Sequence, residues 1–320
     1  DGALCVISEK ELEGQTNSYI KVKSSLQALK DMALLYRNNL DIKVVGITGS
    51  VGKTSTKETI SYVLNKKYKV LKTEGNFNNE IGLPLTVFRL RDDDEVAVLE
   101  MGISDFGEMD RLSKIAQPDI SVITNIGLCH LENLKTRDGI LKAKTEIFNN
   151  MKPDGIAILN GDDDKLITVD EVNGKKPERF GINYKDGVYA KDIENLGLSG
   201  TKFVISGLNC VDGCKDFEVT VPVPGHHMIY NALAAACVGA ALELTSAQIA
   251  DGIADLKTIS GRNNIIKTSK YTLIDDCYNA NPVSMKASVD VLDMAIGRKV
   301  CILGNMYELG ENEKNLHYDV

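Results

Sequence analysis

Lys53 and Thr54 stand in the run VVGITGSVGKTSTKE (44–58), where a hydrophobic stretch breaks into Gly46, Gly49 and Gly52 before a helical pattern begins. Glycines at a strand-to-helix junction let successive backbone N–H groups and a helix N-terminus face an anion. A lysine after the last glycine reaches the outer phosphates of a nucleotide, and the hydroxyl after it can ligate Mg²⁺. The strict form of this loop has a glycine where Ile47 stands. The spacing still predicts a phosphate-binding loop over Gly49, Ser50, Val51, Gly52, Lys53, Thr54 and Ser55 that takes ATP or a relative. The plainer alternative is a glycine-rich turn that caps a helix.

Other side chains could meet that phosphate. Ligands of open parallel sheets sit at the carboxyl ends of strands, and Glu100 ends the apolar run VAVLE. A carboxylate there can hold Mg²⁺, which favours one or two carboxylates, phosphate oxygens and water. His130 follows the next such run in TNIGLCHLE and, taken alone, is as often structural as a ligand. Lys144, in the helical stretch LKAKTEIF, reads by itself as a solvated charge. Asn76, Asn78 and Asn79 in TEGNFNNEIGLP offer donors and acceptors to a polar substrate, or simply make turns. Asn231 falls in the first turns of a helix opening at PGHHMIYNALAAA. Arg262, in GRNN, could clamp a phosphate when domains close. Asp275, Asp276, Asn279 and Asn281 cluster at a strand end, where an acidic residue can bind ribose hydroxyls.

These residues need a scaffold that delivers loops to one sheet end. Strand-like runs at 43–48, 69–72, 96–100, 119–124 and 156–159 alternate with helical stretches at 53–66, 106–116 and 136–150. A further helix is expected at 229–242. Such alternation implies right-handed crossovers and a mostly parallel sheet flanked by helices, an α/β fold. Between about 175 and 221 the pattern turns strand-rich, with runs at 203–206 and 217–221, and predicts an antiparallel excursion. A fresh pattern follows LKTISGRNN, with a strand at 271–275, a helix from 283 and a strand at 299–303. The expected units are 1–40, with one helix at about 24–37 and the look of an earlier domain's tail, then 41–258 and 259–320.

The chain's 320 residues carry a net charge of −8, which argues against a nucleic-acid surface because phosphate neutralisation needs clustered Lys and Arg. No apolar run approaches the roughly 20 residues that span a bilayer, so no membrane insertion is expected. Seven scattered cysteines, an odd number, point to a reducing cytoplasm rather than a disulfide framework. Cys210 and Cys214 read as two free thiols, with no second pair nearby to complete a metal site.

Taken together, GITGSVGKTSTKE, TEGNFNNEIGLPLT, LEMGIS, NIGLCHLE, AKTEIF, PGHHMIYNALAAA, DDCYNANPVSM and LGNMYELGE resemble, in order, the motifs of the Mur ligases, and most closely the branch that adds D-Ala-D-Ala. The resemblance implies a central P-loop ATPase domain (41–258) and the start of a C-terminal Rossmann-like domain (259–320), with 1–40 the tail of a UDP-sugar domain. Against that template the chain reads as a fragment. It implies ATP and Mg²⁺, with Thr54, Glu100, His130 and a carbamylated Lys144 around the metal, and Lys53, Lys144 and His130 catalytic. Asn231, Arg262 and Asp276 would contact ATP, and Asn76, Asn78 and Asn79 the substrate. His227 and Asn231 are kept, whereas Met228 and Asn305 stand where Asn and Asp are usual. The implied reaction is ATP-dependent amide formation, through an acyl phosphate, between UDP-MurNAc-tripeptide and D-Ala-D-Ala. A sister Mur ligase or a folylpolyglutamate synthase is the nearest rival. A P-loop switch without ligation is the rival from another class, and would leave Glu100, His130 and Lys144 without work.

Overall fold

The structure is a computed structural model and describes residues 3–12, 19–307 and 309–320. Two short parallel strands, β1 (Val6–Ser8) and β2 (Tyr19–Lys21), precede α1 (Ser25–Asn38), the helix expected at 24–37. Ser24 caps α1 by accepting from the Gln27 N–H at 3.2 Å. Arg37 near its end is buried and donates to the carbonyls of Leu40, Ile42 and Ala116, which fastens α1 to the sheet.

The main sheet has nine strands: β3 (Lys43–Thr48), β4 (Val70–Lys72), β5 (Val96–Glu100), β6 (Ile120–Ile123), β7 (Ile156–Asn160), β8 (Glu178–Gly181), β9 (Val188–Asn195), β10 (Thr201–Ser206) and β11 (Asp216–Val221). Their order is β11-β10-β9-β8-β7-β6-β3-β5-β4. Pairing is parallel from β4 through β9 and antiparallel only across β9, β10 and β11. The strand-rich excursion is thus an extension of the same sheet, and its first two strands are parallel rather than antiparallel. The chain runs from β3 out to the edge strand β4, comes back to β5 beside β3, and then crosses to β6 on the other side of β3, so strand order reverses at β3, the position at whose carboxyl end ligands of open parallel sheets sit.

Strands β5 and β6 are buried at every position, which is why they read as unbroken apolar runs. One face packs against α2 (Lys53–Leu64), α7 (His227–Ala241) and α8 (Ser246–Ala254) through Ile60, Val63, Ile229, Leu233 and Ile249. The other is covered by α1, α3 (Gly82–Val87), α4 (Glu108–Ala116) and α6 (Arg137–Thr145), with α5 (Leu131–Leu134) leading into α6. Each fully buried Val, Leu or Ile contributes about 1.5–3 kcal/mol. Close helix approach needs glycine at 252, where a Cβ would fall 2.4 Å from Val63 Cα. The stretch expected to be helical over 136–150 divides into α6 and a 3₁₀ turn at Glu146–Asn150.

Beyond residue 262, β12 (Asn264–Lys267) and β13 (Thr272–Asp275) form a hairpin, followed by α9 (Pro282–Asp293) and α10 (Glu313–Tyr318). Asn281 caps α9 reciprocally with Ser284, and Pro282 opens it. The strand expected at 299–303 does not form. A strand needs a neighbour for its N–H and C=O groups, and none of the described residues pairs with this segment, where Ile302 is 94% exposed. No helix among the described residues is long and apolar enough to cross a membrane.

Candidate active site

The glycine loop leaves β3 and enters α2 with two glycines in conformations that disfavour a side chain. Gly49 has φ of 149°, and a Cβ there would lie 1.9 Å from Thr124 Oγ1. Gly52 has φ of 82° and caps α2. Lys53 folds back, its ammonium donating to the Gly49 carbonyl at 2.8 Å. The segment after β6 braces the loop. Ser50 N–H donates to the Asn125 carbonyl, Val51 N–H to Asn125 Oδ1, and Thr124 Oγ1 and Asn125 Nδ2 both donate to the Val51 carbonyl. Gly127 N–H meets Ser50 Oγ at 2.8 Å. Thr54 and Ser55 lie half-buried in the first turn of α2.

Glu100 ends β5, adjacent to β3 in register with Ile47, and is 2% exposed. Its Oε1 accepts from Asn78 Nδ2 at 2.8 Å, while Oε2 is buried without a hydrogen-bond partner. A buried carboxylate oxygen left open is costly, and a cation would satisfy it. Thr48 Oγ1, at the end of β3, is likewise buried and unpartnered. The residues therefore fit a metal held jointly with phosphate oxygens. They do not make a self-sufficient site, since no group of three or more His, Cys, Asp or Glu that could hold a metal occurs among the described residues.

Lys144 overturns its reading as a solvated charge. It sits on α6, 1% exposed. Burial pushes its ammonium down to about 7, and repulsion from Lys53 acts in the same direction. Lys53, far away in the chain, is thus near enough for its charge to be felt at Lys144. His130 caps α5 with φ of 55° and is half-buried, in the connection whose first residues brace the glycine turn.

A second wall comes from α7 and the segment 256–263. A cleft of about 1060 Å³, open to solvent, is lined by Gly52, Ser55, Asn231, Arg262, Asn263 and Asp276 among others. The structure brings six of the ATP candidates, Val51, Gly52, Ser55, Asn231, Arg262 and Asp276, to one opening. The Arg262 guanidinium lies 4.1 Å from the Tyr278 ring centroid. The Asp276 carboxylate accepts from Asn263 N–H and Ser288 Oγ. Asn231 accepts from Thr56 Oγ1 at 2.9 Å and donates to Met228 Sδ at 3.2 Å. His227 also lines this wall, and burial holds its ring below the usual imidazole range despite Asp276 nearby.

The asparagines of 73–84 divide by role. Asn78 supports Glu100, whereas the Asn79 side-chain oxygen is taken up by the N–H groups of Ile81 and Gly82 at the start of α3. Asn76 is exposed, in the turn closed by Asn78 N–H on its carbonyl.

Sequence reading passed over the turn GDDD (161–164) at the end of β7. Asp163 accepts from Ile126 N–H, and Arg137, paired with Asp164, donates to the Ile126 carbonyl. Asp162 accepts from the N–H groups of Ile182, Asn183 and Tyr184 and from the Tyr230 hydroxyl. Burial pulls the Asp162 carboxyl upward, but those donors together outweigh it and hold it below the usual range. Three acidic residues at a strand end were the available signal.

Residues 47–239 match the model of the Mur ligase middle domain, and residues 261–320 that of the Mur ligase, glutamate ligase domain. The chain is 40% identical over 306 residues to the UDP-N-acetylmuramoyl-tripeptide--D-alanyl-D-alanine ligase of Bacillus subtilis (strain 168), covering 95% of this chain and 65% of the relative. It therefore spans just under two thirds of that relative's length. Among solved structures it is similar to MurF from Acinetobacter baumannii, with TM-score 0.91, 34% identity and coverage of 98% of this chain and 68% of the other. MurF ligase from Thermotoga maritima in complex with ADP aligns with TM-score 0.88 and 33% identity, over 99% of this chain and 72% of that one. With a family model over most of its length and the loop, carboxylate and buried lysine at one sheet end, the chain belongs to the Mur ligase family.

Proposed function

We propose that this chain forms the ATP-binding, carboxylate-activating part of a ligase that adds D-Ala-D-Ala to UDP-MurNAc-tripeptide in peptidoglycan precursor synthesis. The observation that carries the reading is a glycine turn built to face an anion, with Lys53 on it, together with a buried Lys144 that is pushed down to about 7 and feels the charge of Lys53. The Bacillus relative's substrates support the acceptor pair, and the ADP held by the Thermotoga protein supports the nucleotide. All seven cysteines are free, in keeping with a cytoplasmic setting.

In this reading the γ-phosphoryl group of ATP passes to a carboxylate oxygen of the tripeptide, giving ADP and an acyl phosphate. The amine of D-Ala-D-Ala attacks the acyl carbon, phosphate leaves, and the nitrogen sheds a proton as the amide forms. Phosphoryl transfer asks the protein chiefly for positioning and charge neutralisation. Lys53 leaves the Gly49 carbonyl for phosphate oxygens, and the N–H groups at the start of α2 face the same anion. Arg262 reaches phosphate from the segment 256–263 and excludes water as the cleft closes. Asp276 and Asn231 line the nucleoside end, and Asn76, Asn78 and Asn79 lie on the substrate side of Glu100. Mg²⁺, held by Thr54, Glu100, His130 and the modified Lys144, would neutralise charge on the transferring group when bound. The neutral Lys144 amine adds to CO₂ through its lone pair and releases one proton, which converts an uncharged amine into an anionic carbamate; counted from the ammonium, two protons are released.

ADP formation that requires both the tripeptide and D-Ala-D-Ala tests the function. ADP formation that needs neither indicates a nucleotide switch, and a requirement for D-Glu, a diamino acid or L-Glu in place of D-Ala-D-Ala indicates a sister enzyme. Lys144→Ala is expected to lose activity and regain part of it with added short carboxylates; full activity without rescue removes the carbamate from the scheme.

A further inference from the structure

Lys57 stands one turn after Lys53 on α2, is 2% exposed, and takes no part in the chemistry proposed above. A buried ammonium is costly unless it is paired and hydrogen-bonded. Its Nζ donates to the Thr73 carbonyl at 2.7 Å and lies 3.1 Å from Glu58 Oε1, while the other Glu58 oxygen pairs with Lys72. Thr73 is itself fully buried, just past the end of β4, and its N–H donates to the Val98 carbonyl at 3.0 Å. In a regular parallel ladder the residue that donates to Val98 accepts, through its own carbonyl, from the N–H of Glu100. Here Lys57 has taken that carbonyl, and the Glu100 N–H donates to Thr73 Oγ1 at 3.0 Å instead. A hydroxyl thus replaces a backbone carbonyl at the last rung between β4 and β5, at the residue whose Oε2 is buried without a partner. The same helix carries Thr54 at its start. One hydrogen-bonded chain, Lys57 to Thr73 to Glu100, ties the helix of the glycine turn to the end of β5.

Resting on the metal reading above, we propose that Lys57 is a positioning residue for the cation: it diverts the Thr73 carbonyl, ends the β4–β5 ladder one rung early, and so sets where the open Glu100 oxygen stands relative to Thr54. Without the ammonium the Thr73 carbonyl is free to accept from the Glu100 N–H, which extends the ladder and shifts the carboxylate while leaving no backbone donor unsatisfied. The sign of the effect separates this role from a simple charge effect. Removing a positive side chain near a cation site tightens the cation by Coulomb's law alone, whereas loss of positioning weakens it.

The test is Mn²⁺ binding in the presence of ADP, followed by electron paramagnetic resonance, for the wild type, Lys57→Met, Thr73→Val and the double variant. Mn²⁺ suits the same oxygen ligands as Mg²⁺. Each single variant should weaken Mn²⁺ binding by about tenfold or more. The double variant should be no weaker than the weaker single one, because both changes break one chain. Calorimetry with ADP in EDTA should give wild-type affinity for all three variants, which a general loss of structure would not. If Lys57→Met fails to fold by circular dichroism, Thr73→Val carries the same prediction. Mn²⁺ affinity unchanged or raised in either single variant, losses that add in the double variant, or a matching loss of metal-free ADP binding overturns the proposal. A wild type that holds no Mn²⁺ beyond that bound by ADP alone overturns the metal reading itself, and the proposal falls with it.

Discussion

Lys144→Met is the perturbation with the most to decide. In the unfolded chain this lysine titrates near 10.5 and in the folded protein at about 7, chiefly because the site withholds water and secondarily because Lys53 repels it. At about 1.4 kcal/mol per tenfold change, holding the side chain charged inside the fold costs on the order of 5 kcal/mol. The unfolded state binds more protons between the two values, so stability rises with pH over that window. The cost is full below pH 7 and fades as pH climbs toward 10.5. Methionine keeps much of the volume and adapts to the cavity without titrating. In CO₂-free buffer, Lys144→Met should be more stable than the wild type at about pH 6, and the gap should narrow by roughly 1.4 kcal/mol per pH unit between about pH 7 and about pH 10.5. Urea midpoints measured across this range provide the reading. At about pH 8 a group titrating near 7 is roughly 90% neutral, some 300-fold more than an ordinary lysine, so bicarbonate should raise the wild-type midpoint and leave the variant's unchanged. Parallel pH profiles for the two proteins would refute the claim that the fold holds Lys144 neutral.

Three further outcomes follow from the geometry. Glu100→Gln keeps an oxygen for Asn78 and removes a buried negative charge. It should leave metal-free stability equal or higher while raising the Mg²⁺ needed for half-maximal ADP formation by about tenfold or more; an unchanged Mg²⁺ requirement would exclude Glu100 as a ligand. Gly49→Ala places a methyl 1.9 Å from Thr124 Oγ1 at an unfavourable φ, and calorimetry should find nucleotide binding abolished or the fold destabilised by about 2 kcal/mol or more. Asp163→Ala leaves the Ile126 N–H without its acceptor and should cost about 1–3 kcal/mol in urea denaturation.

Legibility in the sequence followed the range of the physics. The glycine turn between β3 and α2 was readable because a strand end, glycines at 49 and 52, Lys53 and Thr54 act through contiguous backbone. The parallel sheet was readable because strands buried on both faces must be apolar throughout. The place of Glu100 at the strand end was legible for a related reason, as the last residue of such a run. The segment at 299–303 shows the limit, since apolar residues make a strand only beside a partner and pairing is decided elsewhere in the chain. Lys144 shows it more sharply. A lysine on a helix is solvated or desolvated according to what packs over it, and only the fold brings the Lys53 charge within its range and closes off water. The same holds for the asparagines. Identical amides at 231 and 263 differ because tertiary contacts satisfy one and leave the other's oxygen open, and a hydrogen-bond partner more than a hundred residues away leaves no trace in local spacing.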